Sequence, residues 1–392
     1  MKKKILAVQL LRIGDVLMTL PPLRAYKNKH PDHHVTLLVN KFCKATLYDL
    51  LKLYVDEVIC FDRGFAVHSL TSTSAPLFEA IDYIRDFQKQ LRSSEYDKIV
   101  NFTHNKFSAY LLSKCNEESI LGMGSRENGE LYINGKSFRE LNEYKGSESR
   151  HFIDIFYNAL GLQPQNLGHA KLPVNPSGQS YICIQPFTSD EKKNWGESNW
   201  RDFILQLDRL RFPFDIFVLG APFEKEKIER LSSTCKTKHL KVEAKITSFI
   251  EAKDLLEKSS FLVTGDTSIL HLSNITRTPV LEIALGSSQV NETGAYLKNS
   301  LIVRPKLSCF PCEHSQNCKM NSHLCADYVQ PKDIALLVFS KILQAGLETV
   351  GEFCGNNLEV LKVEKIGVNW KLKTINGEQP LDVETRVKDR TV

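Results

Sequence analysis

The sequence predicts an α/β protein made of two parallel-sheet halves, and three observations predict it. Short β-branched runs alternate with amphipathic stretches, the pattern of βα units. The alternation pauses once, at the Pro-, Gly- and Asn-rich stretch GLQPQNLGHAKLPVNPSGQS (161–180), and then resumes. The 392 residues suffice for two domains that each bury a core.

The elements follow in order. The start, MKKKILAVQLL, imitates a signal peptide, but its apolar run ends at Arg12 and Asp15 with no small-residue cleavage site. ILAVQL (5–10) is therefore read as a first strand. Further strands are expected at 35–39, 58–61, 98–102 and 119–122, with helices near 44–53, 76–94 and 104–115. Pro21 and Pro22 each lack an N–H, so a helix after Asp15 is expected to start late, kink or end early. The second series places strands at 181–185, 214–220, 261–265 and 279–285, with helices near 198–211, 223–236 and 248–258, the last capped by Thr247. Another helix is expected near 331–345. LEVLKVEKI, VNWKLKTI and LDVETRV then alternate, and Asn376-Gly377 signals a hairpin, so the tail reads as a small β appendage outside both sheets. The expected boundaries are a first domain at 1–165, a linker at 166–180, a second domain at 181–347 and the tail at 348–392.

Hydrophobic residues make up 42% and charged residues 25%, which excludes a disordered or collagen-like chain. The net charge of +5 is too mild for a dedicated nucleic-acid binder; it suits an anionic substrate or a loose attraction to an acidic membrane surface. No stretch reaches the roughly 18 uninterrupted apolar residues of a membrane span, so a cytoplasmic protein is expected. Of the ten cysteines, Cys309, Cys312, Cys318 and Cys325 cluster. Without an export signal they read as metal ligands or as reduced thiols rather than disulfides.

Four stretches carry candidate chemistry. Asp15 follows the carboxyl end of a strand, where open α/β sheets gather ligands; an Asp there also caps helices, and position alone favours the cap. No Gly-x-Gly-x-x-Gly follows the strand, which argues against a dinucleotide fingerprint. GDTSILHL (265–272) takes a strand through Gly, Asp and two hydroxyl residues into a helical pattern, a start whose N–H groups suit phosphate. QPFTSDEKKNW (185–195) offers Thr188, Ser189, Lys192 and Lys193 at another strand end, where a cation can neutralise a diphosphate leaving group. In ALGSSQVNETGAYLK (284–298), Gly286 and Ser287 follow a buried strand and permit close approach to a ligand. Each stretch alone also reads as a capped helix or a solvated loop.

In combination they resemble glycosyltransferase family 9, the heptosyltransferases of lipopolysaccharide core assembly. The matching residues are Ile13-Gly14-Asp15 with Leu20-Pro21, Lys193-Asn194-Trp195, Asp266-Thr267-Ser268-Ile269-Leu270-His271-Leu272, and the loop from Gly286 to Gly294-Ala295-Tyr296, in order across about 5–345. The resemblance implies a GT-B fold, two Rossmann-like domains facing across a cleft. It implies inverting transfer of a heptose-like sugar from a nucleotide-sugar, ADP-heptose in characterised relatives, to a lipopolysaccharide-core or related glycolipid acceptor. The donor would bind the C-terminal domain and the acceptor the N-terminal one. Asp15 is implied as the base that takes the acceptor proton, and Lys193, Thr188 and Ser189 as the groups that hold the diphosphate. Backbone amides at Thr267 and Ser268 would assist, Asp266 would contact the sugar and Glu224 the ribose, while His271 would pack its helix. The chemistry requires no cofactor, no nucleic-acid partner is implied, and the enzyme would work at the inner face of the inner membrane with transient association.

Three departures bear on donor identity more than on fold. Ser268 stands where the family has Gly, Gln185-Pro186-Phe187 replaces a His-Pro-Gly-type start, and HLSNIT replaces an Ala-rich helix. The spacing Cys309-x2-Cys312-x5-Cys318-x6-Cys325 offers four thiolates to a tetrahedral zinc, though it contains only one Cys-x-x-Cys pair. A structural zinc and a thiol loop both stay open. So do two other function classes. One is a nucleotide-sugar epimerase, which needs a second acid/base. The other is a non-catalytic sugar-binding or interaction protein, toward which Ser268 and Phe187 point.

Overall fold

The computed structural model describes residues 2–71, 76–143, 151–164, 180–314, 317–318, 320, 323–342, 357–366 and 369–375. The chain divides into two compact units, Met1–Pro164 and Gln165–Val392.

The first unit holds a six-stranded sheet of β1 (Lys4–Gln9), β2 (His34–Asn40), β3 (Glu57–Phe61), β4 (Lys98–Asn101), β5 (Ile120–Ser125) and β6 (Leu131–Asn134), ordered β3-β2-β1-β4-β5-β6. All neighbours are parallel except β5 and β6. Five of the six residues of β1 are buried, as both faces of a parallel strand require. The Ile13–Lys29 helix runs unbroken through Pro21 and Pro22, against the sequence expectation. Val16 to Leu23 are all buried, so core packing outweighs the hydrogen bonds that the two prolines remove.

The second unit holds an eight-stranded sheet of β7 (Tyr181–Gln185), β8 (Asp215–Gly220), β9 (Val242–Ile246), β10 (Phe261–Gly265), β11 (Val280–Ile283), β12 (Leu301–Pro305), β13 (Leu358–Ile366) and β14 (Asn369–Thr374). Its order is β14-β13-β12-β11-β10-β7-β8-β9. The strands β7 to β12 pair in parallel, and β13 and β14 are added antiparallel at one end.

That addition corrects the reading of the tail as lying outside both sheets. Leu358, Val360, Leu361, Val363 and Trp370 are buried, and β12 supplies the edge that β13 covers. Asn376-Gly377 and most of the expected linker lie outside the described residues. Two further corrections are local. Ser248, not Thr247, caps the Phe249–Lys258 helix, because its hydroxyl and Glu251 form a reciprocal capping box. The strands β9 and β12 are absent from the sequence reading: β9 carries alternating charges and is half-buried throughout, and β12 ends in Arg304-Pro305.

Candidate active site

In each sheet the chain leaves a central pair of strands in opposite directions, and ligands of open α/β sheets gather at that reversal. In the second unit the pair is β7 and β10. The loop after β7 is shaped by its own polar side chains. Thr188 N–H donates to Asn194 Oδ1 (2.8 Å), and the Thr188 hydroxyl donates to the Asp190 carbonyl (2.7 Å). Asp190 accepts from Lys192 N–H (3.1 Å), which starts the Glu191–Lys193 turn. Trp195 then anchors the loop. It is 3% exposed, its ring meets Trp200 edge-on at 5.0 Å, and its Nε1–H donates to the Val329 carbonyl (2.8 Å). The Lys-x-Trp spacing is thus a lever: a buried indole fixes the loop and turns Lys193 inward.

Lys193 Nζ donates to Asp266 Oδ2 at 2.7 Å, with side chains only 10% and 11% exposed. This is the most deeply buried ion pair among the described residues. Asp266 follows β10, so the pair joins the two strand ends at the reversal. One ammonium N–H serves Asp266; an ammonium has three to give, and the others suit an anionic ligand. Next to it, Thr267 caps the Ser268–Thr276 helix through Leu270 N–H (3.4 Å), and its hydroxyl pairs with that of Thr264 (3.1 Å). Ser268 begins the helix without left-handed backbone, so its replacement of Gly costs no backbone strain. His271 is buried, and burial first, then Lys193, hold it down at about 4 against Asp266, so the ring is neutral.

Glu282 on β11 is a residue that sequence reasoning missed. It sits inside a strand that reads as wholly apolar, yet its carboxyl is 1% exposed. Burial first, and then the Asp266 carboxylate, push it up to about 8. Its Oε2 accepts the Ala295 N–H at 2.7 Å. From the other side Trp370 of β14 donates its Nε1–H to the Ala295 carbonyl (3.2 Å). The Gly294-Ala295-Tyr296 segment is thus held at both of Ala295's backbone groups, one of them by the tail.

A pH dependence follows. Between the ordinary carboxylate range and about pH 8 the unfolded chain releases the Glu282 proton and the folded chain keeps it, so stability falls as pH rises. His271 acts the other way, but only below its ordinary 6.5. Thermal melts from pH 6.5 to 8 should therefore show a decline that Glu282→Gln abolishes while still accepting the Ala295 N–H. An unchanged slope in that variant would remove Glu282 as its cause.

The loop after β11 closes the group. Gly286 has φ +58°, and a Cβ there would fall 2.3 Å from the Lys192 carbonyl oxygen. Ser287 donates to Asp190 Oδ2 (3.1 Å). Thus Thr188, Lys193, Asp266, Thr267, Ser268 and Gly286 belong to adjoining loops at the carboxyl ends of β7, β10 and β11. Ser189 is exposed on the same loop as Lys193. Glu224 lies after β8, one strand further out, where its Oε2 accepts the Ala221 N–H (2.9 Å). Phe187 packs on the core with Lys227 Nζ 5.6 Å from its ring.

The first unit reverses between β1 and β4. Asp15 stands on the first turn of the helix after β1, half-buried, and accepts Arg12 N–H at 3.1 Å. It therefore does the work of a helix cap, and that hydrogen bond also fixes its direction. Burial, then the neighbouring Asp15, push the Cys43 thiol up to about 11. After β4 comes His104, a left-handed non-glycine at φ +46°. Its Nδ1 accepts Met123 N–H (3.2 Å), its ring stacks on Phe138 at 5.1 Å, and its buried Nε2 has no partner among the described residues. Nothing in the surrounding NFTHNKF singles it out from sequence.

The four clustered cysteines line one small pocket with apolar side chains such as Leu307 and Leu324. None of the described cysteines is in a disulfide. Burial first pushes the Cys325 thiol up to about 11, Cys312, Cys318 and Cys309 push it further, and a hydrogen bond from the Gly286 backbone opposes them. Among the described residues, no group of three or more His, Cys, Asp or Glu stands in a metal-holding arrangement.

Residues 84–323 match the sequence profile of glycosyltransferase family 9 (heptosyltransferase). The chain is 20% identical over 293 residues to lipopolysaccharide heptosyltransferase 3 of Escherichia coli K12, covering 69% of this chain and 79% of that protein. It is 25% identical over 235 residues to lipopolysaccharide heptosyltransferase 1 of the same organism, covering 56% and 69%. Among solved structures it is similar to a family 9 glycosyltransferase from Veillonella parvula, with TM-score 0.63 and 16% identity over 87% of this chain and 98% of that one. It is also similar to the E. coli heptosyltransferase WaaC with ADP, with TM-score 0.59 and 18% identity over 86% and 99%. These likenesses show the GT-B fold, two Rossmann-like units in one chain, as the motifs implied.

Proposed function

Since the chain belongs to glycosyltransferase family 9, we propose that it transfers a heptose-like sugar from ADP-heptose, with inversion, to a lipopolysaccharide-core or related glycolipid acceptor. The observation that carries the donor half is the buried Lys193–Asp266 pair at the strand reversal, beside a helix start. In this reading the acceptor oxygen attacks the anomeric carbon as the bond to the diphosphate breaks, and the leaving diphosphate takes the electron pair. Lys193 and the N–H groups at Thr267 and Ser268 meet the charge that develops there. Asp15 receives the hydroxyl proton. Thr188 and Ser189 supply further hydrogen bonds to the diphosphate. Glu224 serves the ribose, and Asp266 orients Lys193 as well as facing the sugar. No helix among the described residues is long and apolar enough to cross a membrane, so a glycolipid acceptor would be met at the bilayer surface.

The test is a donor screen with ADP-, UDP- and GDP-sugars, read by nucleoside diphosphate release, with the anomeric configuration of the product determined by NMR. ADP-heptose turnover with inversion is expected. Turnover confined to another donor, or with retention, would overturn the reading.

Gly286 offers a second check. Gly286→Ala forces a left-handed alanine, about 1–3 kcal/mol of strain, and drives a Cβ into the Lys192 carbonyl. Gly129 also has positive φ (+87°), but open space around it. Both alanine variants should melt earlier, and only Gly286→Ala should also weaken ADP binding in titration calorimetry.

A further inference from the structure

The strands β13 and β14 lie beyond the 84–323 stretch that the family profile matches, yet they are fastened to the segment beside the buried ion pair. β13 pairs with β12 from Leu301 opposite Lys362 to Pro305 opposite Leu358. Asn299 N–H donates to the Val363 carbonyl (3.1 Å), and Val363 N–H to the Ser300 carbonyl (2.9 Å). That ladder alone covers the edge of β12, and any apolar side chain on β14 could complete the packing. Trp370 does more. A buried indole N–H needs an acceptor, and this one is aimed at the Ala295 carbonyl (3.2 Å). Ala295 passes the contact on, because its N–H donates to Glu282 Oε2 (2.7 Å). Gly294 permits the close approach: a Cβ there would fall 2.6 Å from the Val290 carbonyl oxygen and 3.1 Å from Glu282 Oε2. Glu282 in turn interacts with Asp266 and Lys193, which pair at 2.7 Å.

Building on the donor-site reading above, we propose that Trp370 is a positioning residue: through Ala295 it holds the Glu282 carboxyl beside Asp266, and so fixes the Lys193 ammonium for the diphosphate. A neutral Glu282 leaves Asp266 as the one carboxylate for that ammonium, whereas a second buried anion would compete for it. The groups acting on Glu282 are few. Burial and Asp266 favour its proton, while the Ala295 N–H and Lys193 oppose it. His271, neutral, feels the same Asp266 and Lys193, and Glu292 in the following loop is shifted by its own burial. Losing the Trp370 hydrogen bond loosens Ala295, weakens its N–H bond to Glu282 and moves the Glu282 titration further up. Stability from Glu282 is lost as pH rises through its folded value of about 8, so a higher value carries the decline to higher pH.

The experiment compares wild type with Trp370→Phe, which keeps a buried ring and removes the N–H. Thermal melts and ADP titration calorimetry are run from pH 6.5 to 9. The variant should bind ADP about two- to tenfold more weakly, the scale of one hydrogen bond. Its stability should go on falling at pH values where the wild type has levelled off, and adding Glu282→Gln should abolish that difference. A lower melt with wild-type ADP affinity and a wild-type pH profile would make Trp370 a packing residue of its strand and overturn the proposal. Weaker ADP binding with an unmoved profile would also overturn it, because Glu282 would then lie outside the path. If Trp370→Phe fails to fold, indole 15N labelling of the intact chain replaces it. One of the three tryptophan N–H signals should then titrate near pH 8 in wild type and not in Glu282→Gln; no such signal overturns the proposal. Wild-type protein that binds no ADP would sink the donor reading, while a shifted profile in Trp370→Phe would leave the connection from Trp370 to Glu282 standing.

Discussion

Asp15→Asn is expected to cut turnover by about two to four orders of magnitude, the usual scale of general-base catalysis, while leaving donor affinity in place. The substitution separates the role that the structure gives this carboxylate, a helix cap, from the one proposed for it, a general base. As a helix cap, Asp15 needs only an oxygen that accepts Arg12 N–H, and an asparagine oxygen does that. As a base it must take a proton, and an amide cannot. Folding and ADP binding should thus survive, and only the step that deprotonates the acceptor hydroxyl should fail. Donor affinity should be spared for a second reason: the groups proposed to hold the diphosphate all belong to the second unit. Asp15→Ala is a useful contrast, because it removes the cap as well and should lower the melting temperature, which Asp15→Asn should not. Near-wild-type turnover in the asparagine variant would return Asp15 to the role of a cap.

Much of this was legible in the sequence because parallel sheets write themselves plainly. Ile5 to Val8 are buried on both faces, so β1 reads as an unbroken apolar run, and the same holds for β7 and β10. The loops after those strands carried their polar residues in clear view, and Lys193, Asp266 and Thr267 do stand together. What was hidden depends on partners distant in the chain. Glu282 is one carboxyl in an apolar strand, and only the fold reveals that it faces Ala295 and Asp266. Pro21 and Pro22 obey a local rule that the buried helix overrides. The tail strands alternate as a free hairpin would, and no local pattern says that β13 covers β12 or that Trp370 reaches Ala295. His104 owes its left-handed backbone and stacked ring to Met123 and Phe138, neither of them near it in sequence.

Lys193→Ala should be the most damaging single change in the second unit, and for two reasons that can be pulled apart. It strands Asp266 in a site only 11% exposed, with Glu282 nearby, and breaking a buried pair from one side costs about 3–5 kcal/mol. It also deletes the cation proposed to meet the leaving diphosphate, a loss of about 10²–10³ in turnover on the scale of one preorganised donor. Asp266→Asn keeps the ammonium and makes its partner neutral, so it should cost less stability and less rate. The double variant Lys193→Met/Asp266→Asn is the deciding one. With no charge left stranded it should regain most of the stability lost in Lys193→Ala, and the cycle then reports the pair's coupling. Its turnover should stay as low as that of Lys193→Ala, because no repair of the fold restores a positive charge beside the diphosphate. A double variant that recovered both would make Lys193 a structural lysine whose effect on rate passes through folding alone. One that recovered stability and remained slow, with weakened ADP affinity, would assign the charge to the chemistry.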